Sequence, residues 1–184
     1  MIRGDSSEYE LLEKWTKGFD AKGSKTCEIG IREGLGSKII MDNVKNAYIH
    51  VGVDPYANLK YQHYDDTGSY TCDYTDEMRD IMLADFIEYR NQGKFTFCNM
   101  TDIKFMEDTE HKHSSYAFVH FDGPHMTRDV LREAIWFADR AIKGARFVFD
   151  DYPKYDMNLI SHCLLKWDFK QLEAGKNKIC FERI

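Results

Sequence analysis

The stretch Lys25-Thr26-Cys27-Glu28-Ile29-Gly30-Ile31-Arg32-Glu33-Gly34-Leu35-Gly36 decides the fold class. Residues 25–29 read as a short strand that runs directly into Gly30. Glycines at 30 and 34 let the backbone pass close to a ligand and turn into a helix over 34–44. The first amides of that helix are free to meet a carboxylate or phosphate. A nicotinamide-type loop needs the spacing GxGxxG. Read from Gly34, the third small position holds Ile39, and read from Gly30 the pattern fails at once. The loop is therefore a tight structural turn or a ligand cradle of another kind.

Working outward, residues 47–53 form a second strand ending in Val53-Asp54-Pro55. An acid there is placed to accept hydrogen bonds from both hydroxyls of a ribose. A polar, tyrosine-rich loop follows at 56–74. Thr75 then caps a helix to about residue 91, with Asp76 and Glu77 suiting its dipole. Strands are expected at 94–98, 116–121 and 145–149, with helices at 127–142 and 158–166. Residues 168–173 and 178–182 are two strands joined by a turn. A first helix, capped by Ser6 or Ser7, precedes them all and runs to about residue 19.

This alternation implies an α/β fold: a Rossmann-like, doubly wound, mostly parallel seven-stranded sheet with an antiparallel C-terminal strand and helices on both faces. Residues 116–121 and 145–149 are continuous apolar runs, as strands covered on both sides should be. The 184 residues make a single domain, with an N-terminal helix in 1–24 and the core in 25–184.

Composition narrows the partners. The net charge of −6 argues against nucleic acid and against anionic membranes. Five cysteines, an odd number with no CxxC pair, argue against a disulfide framework or a zinc knuckle. No apolar stretch is long enough to span a membrane, so a cytoplasmic location is expected. A homo-oligomer is compatible with all of this.

Ligands of such sheets bind at the carboxyl ends of the strands. There the chain places Asp122-Gly123-Pro124-His125 and Asp150-Asp151-Tyr152. Adjacent strands would bring the three aspartates together, where their charges repel and raise each other's pKa. A hard divalent cation relieves that repulsion, and all-oxygen ligation favours magnesium, calcium or manganese over zinc. The alternative is that one aspartate caps a helix and another is solvated. His125 can take a proton near neutral pH, or it can be a structural residue at a helix start. His50 and His120, within strands, are expected in the core. His111 and His113 are expected in solvent.

The loop, the crossover helix and Gly52-Val53-Asp54 together resemble the opening of the class I S-adenosylmethionine (SAM) dependent methyltransferases, over residues 25–184. The resemblance implies that Glu28, Gly30 and Gly34 contact the methionine part of SAM. It implies that Asp54 binds the ribose and that Thr101 and Asp102 border the adenine, with Asp122 also beside the cofactor. Many relatives carry Ser two residues after the second loop glycine, where this chain has Gly36, with Ser37 one later. The aspartates resemble those of metal-dependent, catechol-type and bacterial sugar O-methyltransferases. That likeness implies a divalent metal, magnesium by preference, on Asp122, Asp150 and Asp151. It also places His125 where the catechol type has its catalytic lysine. The expected activity is methyl transfer to a hydroxyl of a small molecule or sugar. A non-catalytic SAM-binding subunit and a methyltransferase for macromolecules are the alternatives.

Overall fold

The computed structural model describes every residue except Met1, Asp5, Asn58, Thr67, Ser69, Cys72 and Asp73. In chain order the elements are α1 (Tyr9–Thr16), β1 (Lys25–Ile29), α2 (Leu35–Asn43), β2 (His50–Val53), β3 (Lys60–Tyr61), β4 (Tyr70–Thr71), α3 (Asp76–Asp85), α4 (Ile87–Asn91) and β5 (Phe95–Cys98). They continue with α5 (Asp102–Glu107), α6 (Thr109–Lys112), β6 (Tyr116–Phe121), α7 (Thr127–Ala138), β7 (Ala141–Phe149), α8 (Met157–Leu164), β8 (Phe169–Ala174) and β9 (Ile179–Arg183).

Seven strands form one sheet in the order β5-β2-β1-β6-β7-β9-β8. The first five run parallel, and β9 runs against both of its neighbours. Strand order reverses at β1, which pairs with β2 on one side and β6 on the other. The crevice at such a switch point is where open α/β sheets bind ligands. Every residue of β6 is buried, because helices cover both faces. One face packs an aromatic core in which Phe121 stacks on Phe149 with centroids 4.5 Å apart, and Phe147 meets Phe169 at 4.4 Å. Such pairs add about 0.5–1.5 kcal/mol each beyond the area they bury.

Several local expectations are corrected. Neither Ser6 nor Ser7 caps α1: its N-cap is Glu8, held left-handed at φ 58 with no side-chain cap bond. The Glu8 carboxylate instead accepts from the amides of Lys176, Asn177 and Lys178. The helix expected at 75–91 breaks at Phe86, whose fully buried ring packs beneath Gly34. Residues 103–115, for which the sequence suggests a loop between the strands at 94–98 and 116–121, hold two short helices capped by Thr101 and Asp108. Helix α7 stops at Ala138 rather than 142, and β7 starts at Ala141, four residues before the predicted 145. Gly144, at φ 83, lets that strand carry an irregularity in its pairing with β6. Cys72 lies outside the described residues; the other four cysteines are free thiols. Among the described residues no helix is long and apolar enough to cross a membrane.

Candidate functional site

The turn after β1 is built by its glycines. Gly30 sits at φ 84, and a Cβ there would lie 2.0 Å from the Asp122 carbonyl oxygen. The loop is thus pressed against the end of β6 so closely that no side chain fits. Gly34 starts α2 at φ 91. Gly36 explains the departure from the usual serine: a Cβ there would meet Glu28 Oε1 at 2.0 Å. The space belongs to Glu28, and Ser37 supplies the hydroxyl instead, donating to Glu28 Oε2.

Glu28 is 2% exposed, and both its oxygens are engaged inside the protein. His120 Nδ1–H donates to Oε1 at 2.7 Å. Since Ser37 donates to Glu28, its oxygen accepts from His50 Nε2 at 2.8 Å, and His50 Nδ1 accepts from the Thr26 hydroxyl at 2.8 Å. Burial pushes His50 down to about 3, in keeping with that neutral tautomer. The structure therefore sets Glu28 beneath the loop rather than on the cavity wall. His50 and His120 are core residues, as expected. His111 is not solvated: it is 7% exposed, stacks on Phe105 at 4.2 Å and faces Cys98 Sγ at 3.6 Å.

A cavity of about 460 Å³ opens at the switch point, lined by Gly30, Asp54, Thr101, Asp102 and Asp122 among others. Gly34 and Glu28 do not line it. Asp54 is 2% exposed and accepts from the amides of Tyr56 at 2.9 Å and Arg32 at 3.1 Å. Burial outweighs those bonds and raises its carboxyl to about 6. The Thr101 hydroxyl is used in capping, accepting from Lys104 N at 3.3 Å. Asp102 is gripped by Arg132 at 2.8 Å. Beside it Glu133, 1% exposed, is held well above the carboxylate range by burial and by Asp102.

A second chamber of about 600 Å³ adjoins the first and shares Asp122, His63 and Tyr74 with it. Its walls include His125, Asp150, Asp151, Tyr64, Arg32 and Asn177. His125 is 4% exposed, and burial, helped by His63, lowers it to about 3. Neither of its ring nitrogens has a hydrogen-bond partner among the described residues. Nε2 faces Asp122 across 3.8 Å and Nδ1 faces Asp151 across 3.7 Å. The described part of the 56–74 segment folds over this ring: His63 lies 4.7 Å from it centroid to centroid, and the Tyr64 hydroxyl donates to Asp151 at 2.8 Å.

The three aspartates expected as ligands all border this chamber. Burial and the neighbouring Asp150 hold Asp122 well above the usual range. Burial opposes ionisation of Asp150 as well, but Lys178 and the hydrogen bond from Asp122 bring it below the usual range. The two carboxyls titrate as a coupled pair. Lys178, fully buried, places Nζ 2.6 Å from Asp150 Oδ1. Sequence reasoning missed this lysine, and part of the repulsion assigned to a metal is met by it. Among the described residues, the acids and imidazoles close enough to share one ion are Glu28, His120 and Asp122, within 4.8 Å. Asp150 and Asp151 stand outside that spacing.

Solved structures with this fold have diverse acceptors. An O-methyltransferase from Bacillus cereus, solved with S-adenosylhomocysteine (SAH), superposes with TM-score 0.62 at 9% identity, covering 100% of this chain and 83% of that one. The O-methyltransferase TomG of Streptomyces achromogenes, solved with SAM, gives 0.59 at 11% identity, with 98% and 80% covered. An rRNA methylase from Streptococcus thermophilus gives 0.58 at 9% identity, with 100% and 99% covered. No curated protein sequence matches the chain. The sequence profile of one family, described as a methyltransferase domain, matches residues 27–152. That match spans most of the chain, and the protein belongs to the methyltransferase-domain family.

Proposed function

We propose that the protein transfers a methyl group from SAM to a hydroxyl of a small molecule or sugar, assisted by a divalent metal. The observation that carries this reading is the pair of chambers meeting at Asp122, one lined for a nucleoside and the other holding His125 and the aspartates. The first chamber fits SAM. Gly30 lines it and lets the loop pack against the end of β6, and Asp54 is a buried acid whose ionised form gains from ribose hydroxyl donors. Asp102, fixed by Arg132, borders the adenine side. The Glu28–His120 and Glu28–Ser37 bonds stiffen the loop from below.

The second chamber carries the donor type a hard cation takes: oxygens on Asp122, Asp150 and Asp151, which would have to draw closer to share one ion, and a buried imidazole with unmet hydrogen-bonding capacity between two of them. Magnesium suits that donor set. When bound, such an ion lowers the pKa of an acceptor hydroxyl. His125, with both ring nitrogens unpartnered among the described residues and facing Asp122 and Asp151, is the group suited to accept the hydroxyl proton. Tyr64 and His63 offer aromatic faces for a sugar or planar ring, and they exclude water from the imidazole. The net charge of −6 favours a small acceptor over RNA.

Calorimetric titration with SAH and with Mg²⁺ tests the reading on wild type and on an Asp150→Asn/Asp151→Asn variant. Both proteins should bind SAH, and only the wild type should bind Mg²⁺. Absence of SAH binding overturns the whole assignment. Equal Mg²⁺ behaviour removes the metal from it. His125→Ala should bind SAH normally yet lose methyl transfer, and unchanged turnover would point to a different base.

A further inference from the structure

Lys178 is unusual for its kind: a lysine with no exposed surface, at the edge of a cluster of carboxylates. Lysines are almost never fully buried unless paired. Its ammonium lies 2.6 Å from Asp150 Oδ1, 2.9 Å from Ser6 Oγ and 3.4 Å from His120 Nε2, with the Tyr9 ring at 5.4 Å. The backbone that carries it is pinned as well. Glu8 accepts from Lys176 N at 2.7 Å, Asn177 N at 2.8 Å and Lys178 N at 2.9 Å. A side chain held at both ends does not swing away when a ligand arrives. It acts as a fixed charge.

The position of that charge has a consequence. Asp150 Oδ1 meets the ammonium, and Oδ2 accepts from Ser6 Oγ at 2.6 Å. Little of Asp150 is left for another cation, and any cation that shares it must sit near a like charge in a poorly hydrated pocket. We propose that Lys178 is a resident counter-cation that competes with a divalent ion for Asp150 and so holds down the affinity of the aspartate cluster for metal. The inference rests on Asp150 being a metal ligand in the reading above. Lys178 is a positioning residue here and touches no reacting atom. Through His120 it also joins the aspartates to Glu28 under the cofactor loop.

The test is a calorimetric Mn²⁺ titration, at fixed pH, of wild type, Lys178→Met and Lys178→Gln, with SAH binding as the check that each variant is folded. Lys178→Gln keeps a hydrogen-bonding partner for Ser6 and guards against a Met variant that fails to fold. Both variants should bind Mn²⁺ at least about tenfold more tightly, since like charges within a few ångströms at low dielectric repel by more than that. Mn²⁺ should also raise their melting temperatures more than that of the wild type. Adding Asp150→Asn should erase the gain. If wild type and both variants bind Mn²⁺ equally, the counter-cation role is overturned while metal assistance stands. If only the variants bind, Lys178 is confirmed as the competing cation and the metal-assisted reading of the native protein fails. If none binds, both fail. A variant that is merely unstable, with no change in metal response, also counts against the proposal.

Discussion

Replacing Asp54 by Asn should separate cofactor affinity from stability. The carboxylate is 2% exposed and accepts two backbone amides, yet burial raises it to about 6. Its ordinary value is about 4, so keeping it ionised at neutral pH costs the unliganded fold about 3 kcal/mol. A neutral amide removes that cost, though its NH₂ must face one of the two backbone donors. The variant should therefore melt no lower than wild type. Binding should move the other way. In the proposed SAM site two ribose hydroxyls donate to this charged acceptor and contribute roughly 1.5–3 kcal/mol each, so SAH affinity should fall at least about a hundredfold. The pH response follows with a definite sign. Ligand favours the ionised form, so protonation opposes binding. Wild-type affinity should be flat above about pH 7, fall as pH drops through 6, and be roughly tenfold weaker at pH 5. The Asn variant should lack this dependence. Isothermal titration across pH 5–8, with thermal melts alongside, measures both. A wild-type affinity independent of pH, or a variant that binds within twofold of wild type, would refute the argument.

Three further outcomes follow from the geometry. Gly30→Ala should abolish SAH binding and lower the melting temperature, because its Cβ would strike the backbone of Asp122 and Gly123, pushing the cavity-lining loop off the end of β6, and φ 84 is strained for alanine; normal binding by titration would contradict the need for that close approach. Gly36→Ala should displace the Glu28 carboxylate from His120 and destabilise by about 1–3 kcal/mol in urea unfolding, and an unchanged midpoint would count against that role. Glu8→Gln replaces a carboxylate that accepts three amides and should cost about 1–3 kcal/mol in the same assay, with faster amide exchange at 176–178 as its local signature.

The parts that were legible in the sequence are those set by local rules. The run into Gly30, the acid closing the second strand, and the acids closing β6 and β7 all sit where strand periodicity ends, and strand ends line the crevice. The roles of those residues were harder to read. Glu28 matches a cofactor contact in pattern, yet its orientation depends on Ser37 and on His120, 92 residues away. Lys178 carries no local signal: it is one lysine in a charged hairpin, and its partner Asp150 lies 28 residues earlier, just past the end of β7. His111 read as polar loop because its burial depends on Phe105 forming a helix that the composition of 103–115 did not announce. The Ser6 cap failed for a related reason, since that hydroxyl was taken by Asp150.

The contacts between the first residues of the chain and its last hairpin bear on how the protein is made. Ser6 meets Lys178 across 172 positions of sequence, and Glu8 meets the same residue across 170. Contacts of such separation close late, because the entropy of joining distant segments is lost before any packing returns it. Strands β1, β2 and β5 can pair while the rest of the chain is still being synthesised, but the triangle of Ser6, Asp150 and Lys178 must wait for the final strand. Under the proposed function, the chamber assigned to the nucleoside, whose lining runs no further than Arg132, is synthesised before the acidic chamber, whose lining reaches Asn177, and a growing chain would gain affinity for SAH first.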